Sequence, residues 1–345
     1  MSIAFKPNTL NIYKVFMAYC VVGNHACLFY ENGEVRQYFL YCLSYLAVPF
    51  FFLCSGYFLG VKLYATKNIR EYRQTLRKYF KRLLIPFFVW GILNIITTWC
   101  VNFIHDIPLT ESIPTTLHAF LVSTPGGGLW YVETLLWMCV ILMFSNKWLF
   151  HKCLFVFCAL MFVVYPMMII YSGHNATISI ISEWYHKVFL SERNFVFQGL
   201  YFMLGLMISR LGIINCKNLI KTKYLICILF VCVVLLICNC YDTPLLFELY
   251  ESLLIVVAVL SIFFIGFSCV PSWFDNKRSI KCRISSSVIY FTHILTKEGI
   301  QFAFLLCGLT ISYNLLFLAV CFVTTIFAVL VNKYRMQYGW LRKIF

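Results

Sequence analysis

The stretch Val48-Pro49-Phe50-Phe51-Phe52-Leu53-Cys54-Ser55-Gly56-Tyr57 decides what kind of protein this is. It lies inside 39–60, a run without a single Asp, Glu, Lys or Arg. A helix of about 20 apolar residues crosses the hydrocarbon core of a bilayer. Working outward, nine more segments read the same way: 9–30, 83–104, 129–146, 153–172, 195–213, 224–240, 248–270, 286–306 and 312–331. The expected fold is therefore an all-α integral membrane protein, a bundle of about ten transmembrane helices. Composition agrees: of 345 residues, 62% are hydrophobic and 12% charged, whereas soluble proteins carry about 25% charge. That excludes a soluble globular enzyme, a disordered tail, a collagen and a secreted disulfide scaffold. Aromatic residues make up 19% and suit lipid-facing surfaces and interfacial anchors.

The net charge of +15 would suggest nucleic acid in a soluble chain. Here the positive-inside rule explains it. With both termini cytoplasmic, 24 of the 28 Lys and Arg fall in inner segments, eight of them between the second and third helices. The expected organisation is one transmembrane domain over 1–345, with no appended soluble domain and loop-sized outer segments at 105–128 and 173–194. Residues 15–30 lack a signal-peptide cleavage pattern and read as a mature helix. The 17 cysteines are scattered through apolar runs and read mostly as small buried thiols. Cys238 and Cys240 alone make no zinc site, and no metal is expected. Asn175-Ala176-Thr177 matches a glycosylation sequon by pattern only.

Ionisable groups inside a membrane are costly, so each is a functional candidate. Lys14 and His25 are eleven residues apart on the first helix, which puts them on one face, ~16 Å apart along the axis. Lys14 reads either as a snorkelling interfacial lysine or as a contact for donor phosphates. His25 reads as a bundle hydrogen bond or as a general base, because imidazole titrates near working pH. Ser55 can touch a substrate or bond a carbonyl one turn back. Gly126-Gly127-Gly128-Leu129-Trp130-Tyr131-Val132-Glu133 is not a phosphate-binding loop, since no Gly-Lys-Ser/Thr follows. Trp130 and Tyr131 read as an interfacial pair. Glu133 can pair with a cation, orient His25 or face solvent. His293 has acid/base and packing readings. The basic stretch 62–82, with Lys81 and Arg82, reads as an inner loop that sets topology and can also dock phosphates.

Taken in order, these landmarks resemble the acyltransferase 3 family, membrane-bound O-acetyltransferases of bacterial surface carbohydrates. Lys14 and His25 are similar to its basic-x10-His signature. Val48–Tyr57 is similar to P-F-F-x-x-S-G, and Lys81-Arg82-Leu83-Leu84-Ile85-Pro86 with Trp90 to K-R-x-x-x-P…W. Leu129-Trp130-Tyr131 is similar to L-W-Y/F, and Ile289-Tyr290-Phe291-Thr292-His293 to I-Y-x-x-H. Three positions depart: Lys14 stands where Arg is usual, Asn11 where an acid is frequent, and Gly128 where many members carry His.

The resemblance implies a multi-pass enzyme of the bacterial inner membrane. It would transfer an acyl group, usually acetyl, from cytoplasmic acyl-CoA to a hydroxyl of a glycan or lipid-linked sugar, with acyl-CoA as co-substrate and no bound cofactor. His25 and Glu133 are the expected catalytic residues, and Lys14, Lys81 and Arg82 the donor contacts. Ser55, Trp130, Tyr131 and His293 are expected to touch the acceptor. The alternative classes are a secondary transporter or lipid-linked glycan flippase, with Pro49, Pro86 and Pro166 marking broken helices, and a sensing relative that has lost activity.

Overall fold

The computed structural model describes residues 9–104, 128–173, 175–189, 195–212, 222–239, 247–268 and 273–345. Among them there is no strand. The helices are α1 (Leu10–His25), α2 (Gly33–Phe39), α3 (Tyr45–Leu63), α4 (Ile69–Ile104), α5 (Trp130–Met143), α6 (Trp148–Ser172) and α7 (Ala176–Phe189). They continue with α8 (Phe195–Leu211), α9 (Thr222–Asn239), α10 (Phe247–Ser268), α11 (Asn276–Leu306), α12 (Tyr313–Tyr334) and α13 (Leu341–Ile344). A π-helical turn, Leu40–Ser44, joins α2 to α3.

Each of the ten apolar segments falls on a helix. Five helical stretches among the described residues are long and apolar enough to cross a membrane: Gly33–Leu63, Ile69–Thr97, Trp148–Met168, Tyr250–Ser268 and Tyr313–Tyr334. The others fall short for physical reasons. With 16 and 14 residues, α1 and α5 extend only ~24 and ~21 Å. The 31-residue α11 is long enough, but its first turns carry Lys277, Arg278, Lys281 and Arg283, and the remainder is interrupted by His293, Lys297, Glu298 and Gln301.

Three segments expected as loops contain helix. Most of the basic stretch 62–82 is the start of α4. Asn68 Oδ1 accepts from the Glu71 N–H at 2.9 Å, and Glu71 reaches back to the Lys67 N–H at 2.9 Å, so the helix is capped well before its apolar part begins. Tyr72 and Leu76 bury one face while Arg70, Arg73, Arg77, Lys78 and Lys81 are exposed. The basic segment before 286 is likewise the start of α11, capped by Asp275 through the Arg278 N–H at 2.7 Å. Part of 173–194 is α7, whose cap is Asn175. Its side chain takes the Thr177 and Ile178 N–H groups, so the sequon asparagine has a local structural role. Residues 105–127 lie outside the described set.

Pro49, Pro86 and Pro166 do not break their helices, which continue through all three. In a helical bundle, neighbouring packing and local adjustment accommodate the lost N–H.

The core is centred on α3 packed along α8. Within Gly56-x-x-x-Gly60, a Cβ on Gly56 would fall on the Phe202 carbonyl and one on Gly60 on the Ser209 hydroxyl. From the other side, a Cβ on Gly205 would fall on the Leu53 carbonyl. Small residues thus let the two backbones meet, as membrane helices do in the absence of a hydrophobic driving force. Phe50, Phe52, Leu53, Phe202, Met203 and Leu206 fill the seam and are fully buried.

Beside this seam, α1 and α11 run parallel in a fixed register. The Asn11 amide donates to Ser279 at 2.8 Å. Fourteen residues further along both helices, ~21 Å away, the rings of His25 and His293 meet with centroids 5.1 Å apart. This pairing sets the long axis of the site.

Candidate active site

A cavity of about 590 Å³ opens between α1, α3, α4, α5 and α11. Cations surround its polar end: Lys14 from α1, Lys62 from α3, Arg82 from α4 and Arg283 from α11. Lys14 also lies over the Phe58 ring, its ammonium 4.4 Å from the ring centre. Burial, with Arg82 and Arg335 nearby, lowers the pKa of Arg283. Like charges so gathered repel one another, and their field favours a polyanionic occupant.

Deeper in, the wall becomes aromatic and hydroxylic. Ser55 Oγ and the Tyr131 hydroxyl are 2.6 Å apart, and Tyr131 also donates to the Phe51 carbonyl at 3.3 Å. Tyr79 lines the same wall as Ser55. The Tyr290 hydroxyl donates to the Gly128 carbonyl, and its ring packs edge-on to Tyr131 at 5.5 Å. Gly128 packs closely here: a Cβ would meet the flexible end of Ile294 and come within 3.7 Å of His293 Cε1.

Tyr290 connects the cavity to the histidine pair. Its ring lines the cavity, and its carbonyl receives His293 Nδ1 at 2.6 Å. His25 and His293 stand just past this wall. His25 ends α1, and two left-handed non-glycine residues follow in the turn, Cys27 at φ 55° and Phe29 at φ 61°. Such angles are costly for residues with a side chain. The turn is held by the Phe29 N–H on Asn314 Oδ1 at 2.9 Å and by Arg36 on the Leu28 carbonyl at 3.2 Å. These contacts fix where the helix carrying His25 stops.

The residues singled out in the sequence divide as follows. Lys14, Arg82, Ser55 and Tyr131 line one cavity, and His25 meets His293 behind it. Lys81 is exposed and is not in the cavity wall. Trp130 packs on Phe52, with ring centres 5.9 Å apart. Glu133 is half-buried and does not line the cavity, and Trp137, one turn along the same helix, is 49% exposed. Sequence reading missed Arg283 and Tyr290 as members of the site. With Asn276, Ser279, Ser286 and Ser287 they form a polar stripe at helical spacing on α11. That periodicity was the available signal, and treating 277–283 as loop hid it. It also missed His151, fully buried at the basic end, with Nδ1 and Nε2 each 3.0 Å from a tyrosine hydroxyl, Tyr64 and Tyr72.

Together these features describe a helical bundle whose charged cavity lies beside the half-buried His25 and the buried His293. The family model described as an acyltransferase domain matches residues 8–333. The chain belongs to the acyltransferase 3 family and is a membrane acyltransferase. Comparison with curated proteins and with solved structures returns no match.

Proposed function

We propose that this protein is an O-acyltransferase that moves an acyl group, acetyl in the simplest case, from acyl-CoA to a hydroxyl of a glycan or lipid-linked sugar. The observation that carries this reading is the cavity itself. It has a cationic end suited to the phosphates of coenzyme A, and Lys14 on its wall shares a helix with His25 some 16 Å further on. That separation suits an extended donor with phosphates at one end and a thioester at the other.

In the proposed reaction His25 takes the proton of the attacking hydroxyl. The hydroxyl oxygen bonds to the thioester carbonyl carbon, and the carbon–sulfur bond then breaks. The coenzyme A thiolate leaves and takes the proton back from the imidazolium as a free thiol. Lys14, Arg82 and Arg283 hold the phosphates as charged donors. Ser55 and Tyr131 are the hydroxyls nearest the thioester path and are assigned to its developing oxyanion. Lys81 adds charge outside the cavity. Trp130 and Glu133 support α5 from its other faces. No resident cofactor takes part in this scheme.

The positive end of the bundle faces the cytoplasm in this reading, with both termini on that side and ten helices, some short, spanning the inner membrane. Short helices such as α1 and α5 fit such a frame when neighbouring helices shield their ends. The test is acetyl transfer from radiolabelled acetyl-CoA in membranes expressing the protein, beside His25→Ala. Label entering glycan or lipid only with the wild type supports the reading. Transfer undiminished in His25→Ala, with both proteins inserted, refutes it.

A further inference from the structure

His293 carries an unmatched acceptor. A carbonyl can only accept, so the contact of Nδ1 with the Tyr290 carbonyl at 2.6 Å places the ring hydrogen on Nδ1. Nε2 is then a bare lone pair. It is buried, in a residue only 1% exposed, and has no hydrogen-bond partner among the described residues. Buried acceptors are nearly always satisfied, and an orphan costs ~1–3 kcal/mol. The ring that carries it lies beside the His25 ring, with ring centres 5.1 Å apart.

The chemistry limits what can fill it. One hydroxyl has one hydrogen. If the attacking hydroxyl gives its proton to His25, it has none left for His293. The second lone pair needs a second O–H on the same acceptor. Two imidazoles this close can be bridged by two neighbouring hydroxyls, each within ordinary O–H···N reach.

We propose that His293 is a substrate-binding, specificity-determining residue whose Nε2 accepts a hydrogen bond from the hydroxyl next to the one being acylated. The acceptor then needs a pair of adjacent hydroxyls, and His293 selects which of the pair faces His25. This rests on the acyltransferase reading above and adds a rule for the acceptor.

The variants separate this role from packing. His293→Asn keeps an amide N–H for the Tyr290 carbonyl but has nothing at the Nε2 position. His293→Gln can put a carbonyl oxygen near that position and so can still accept. Acetyl transfer to the endogenous membrane acceptor is measured against acetyl-CoA concentration for wild type, His25→Ala and both variants, at equal levels of folded protein. The expected result for His293→Asn is transfer lowered about 10–100-fold at saturating acetyl-CoA, with the KM for acetyl-CoA unchanged. Part of the activity returns in His293→Gln. Wild-type transfer in His293→Asn, or a loss that follows a rise in the KM for acetyl-CoA, overturns the assignment and leaves the acyltransferase reading standing. Loss in both variants equal to that of His25→Ala also overturns it, because hydrogen-bond acceptance would then not be the function. If wild-type membranes transfer no label, the parent reading falls and this inference with it.

Discussion

At the residue scale, the cavity is built from a few charges that the bilayer makes expensive. Lys14 and Arg283 come from different helices and meet only because α1 and α11 run in register. If they hold donor phosphates, Lys14→Met and Arg283→Gln should each raise the KM for acyl-CoA, by roughly tenfold where a charge-assisted contact is lost. Lys14→Arg should retain transfer, because guanidinium also binds phosphate. Saturation curves with acetyl-CoA test both, and an unchanged KM in Lys14→Met removes Lys14 from the donor site. Lys14 and His25 were legible in the sequence, because their spacing and their cost in a membrane both marked them. Glu133 was marked by the same cost, yet it does not line the cavity. Spacing alone does not say which face of α5 meets the cavity, since α5 is apolar nearly all round.

At the element scale, two devices hold the frame around the cavity. One is the glycine seam between α3 and α8. Gly56→Ala drives a methyl into the Phe202 carbonyl, so it should destabilise the fold by ~1–3 kcal/mol. Gly33→Ala, with open space around it, should not. Thermal unfolding of the detergent-solubilised proteins compares them, and equal midpoints would contradict the seam's tight fit. The other device is His151, which joins the end of α3 to α4 through Tyr64 and Tyr72, while Tyr72 also donates to the Leu142 carbonyl of α5 at 3.3 Å. His151→Leu leaves two tyrosine hydroxyls without their imidazole partner and should cost ~1–3 kcal/mol. Transfer per folded molecule should stay near the wild-type rate, because His151 is not in the cavity wall. Gly56 and Gly60 could be read as a small-residue motif, but their partner helix could not. The continuous helices at α4 and α11 were obscured because hydropathy stops at the first charges, whereas backbone hydrogen bonds and caps continue through them.

At the scale of the whole molecule, the basic end and the histidine end must face opposite sides of the membrane for the proposed reaction to work. Lys67 is exposed at the basic end, and Glu31 and Thr310 lie in exposed turns beyond His25 and α11. With the native exposed cysteines replaced, Lys67→Cys should react with a membrane-impermeant thiol reagent only after the cells are opened. Glu31→Cys and Thr310→Cys should react from the other side, while that membrane is intact. Labelling of all three from one side would refute the orientation.

The sequence by itself determined the class of fold, the family and the face shared by Lys14 and His25. Each of these follows from local quantities: apolar run length, charge placement and helical spacing. Tertiary structure decided which charges share a cavity, that Tyr290 and Arg283 belong to it, and that His293 stands beside His25. Those relations join residues far apart in the chain, as Asn11 and Ser279 are at 268 positions. They depend on how α1, α5 and α11 rotate and slide against one another. In helices apolar on nearly every face, close packing at small residues sets that arrangement, and it leaves no periodic trace in any one segment.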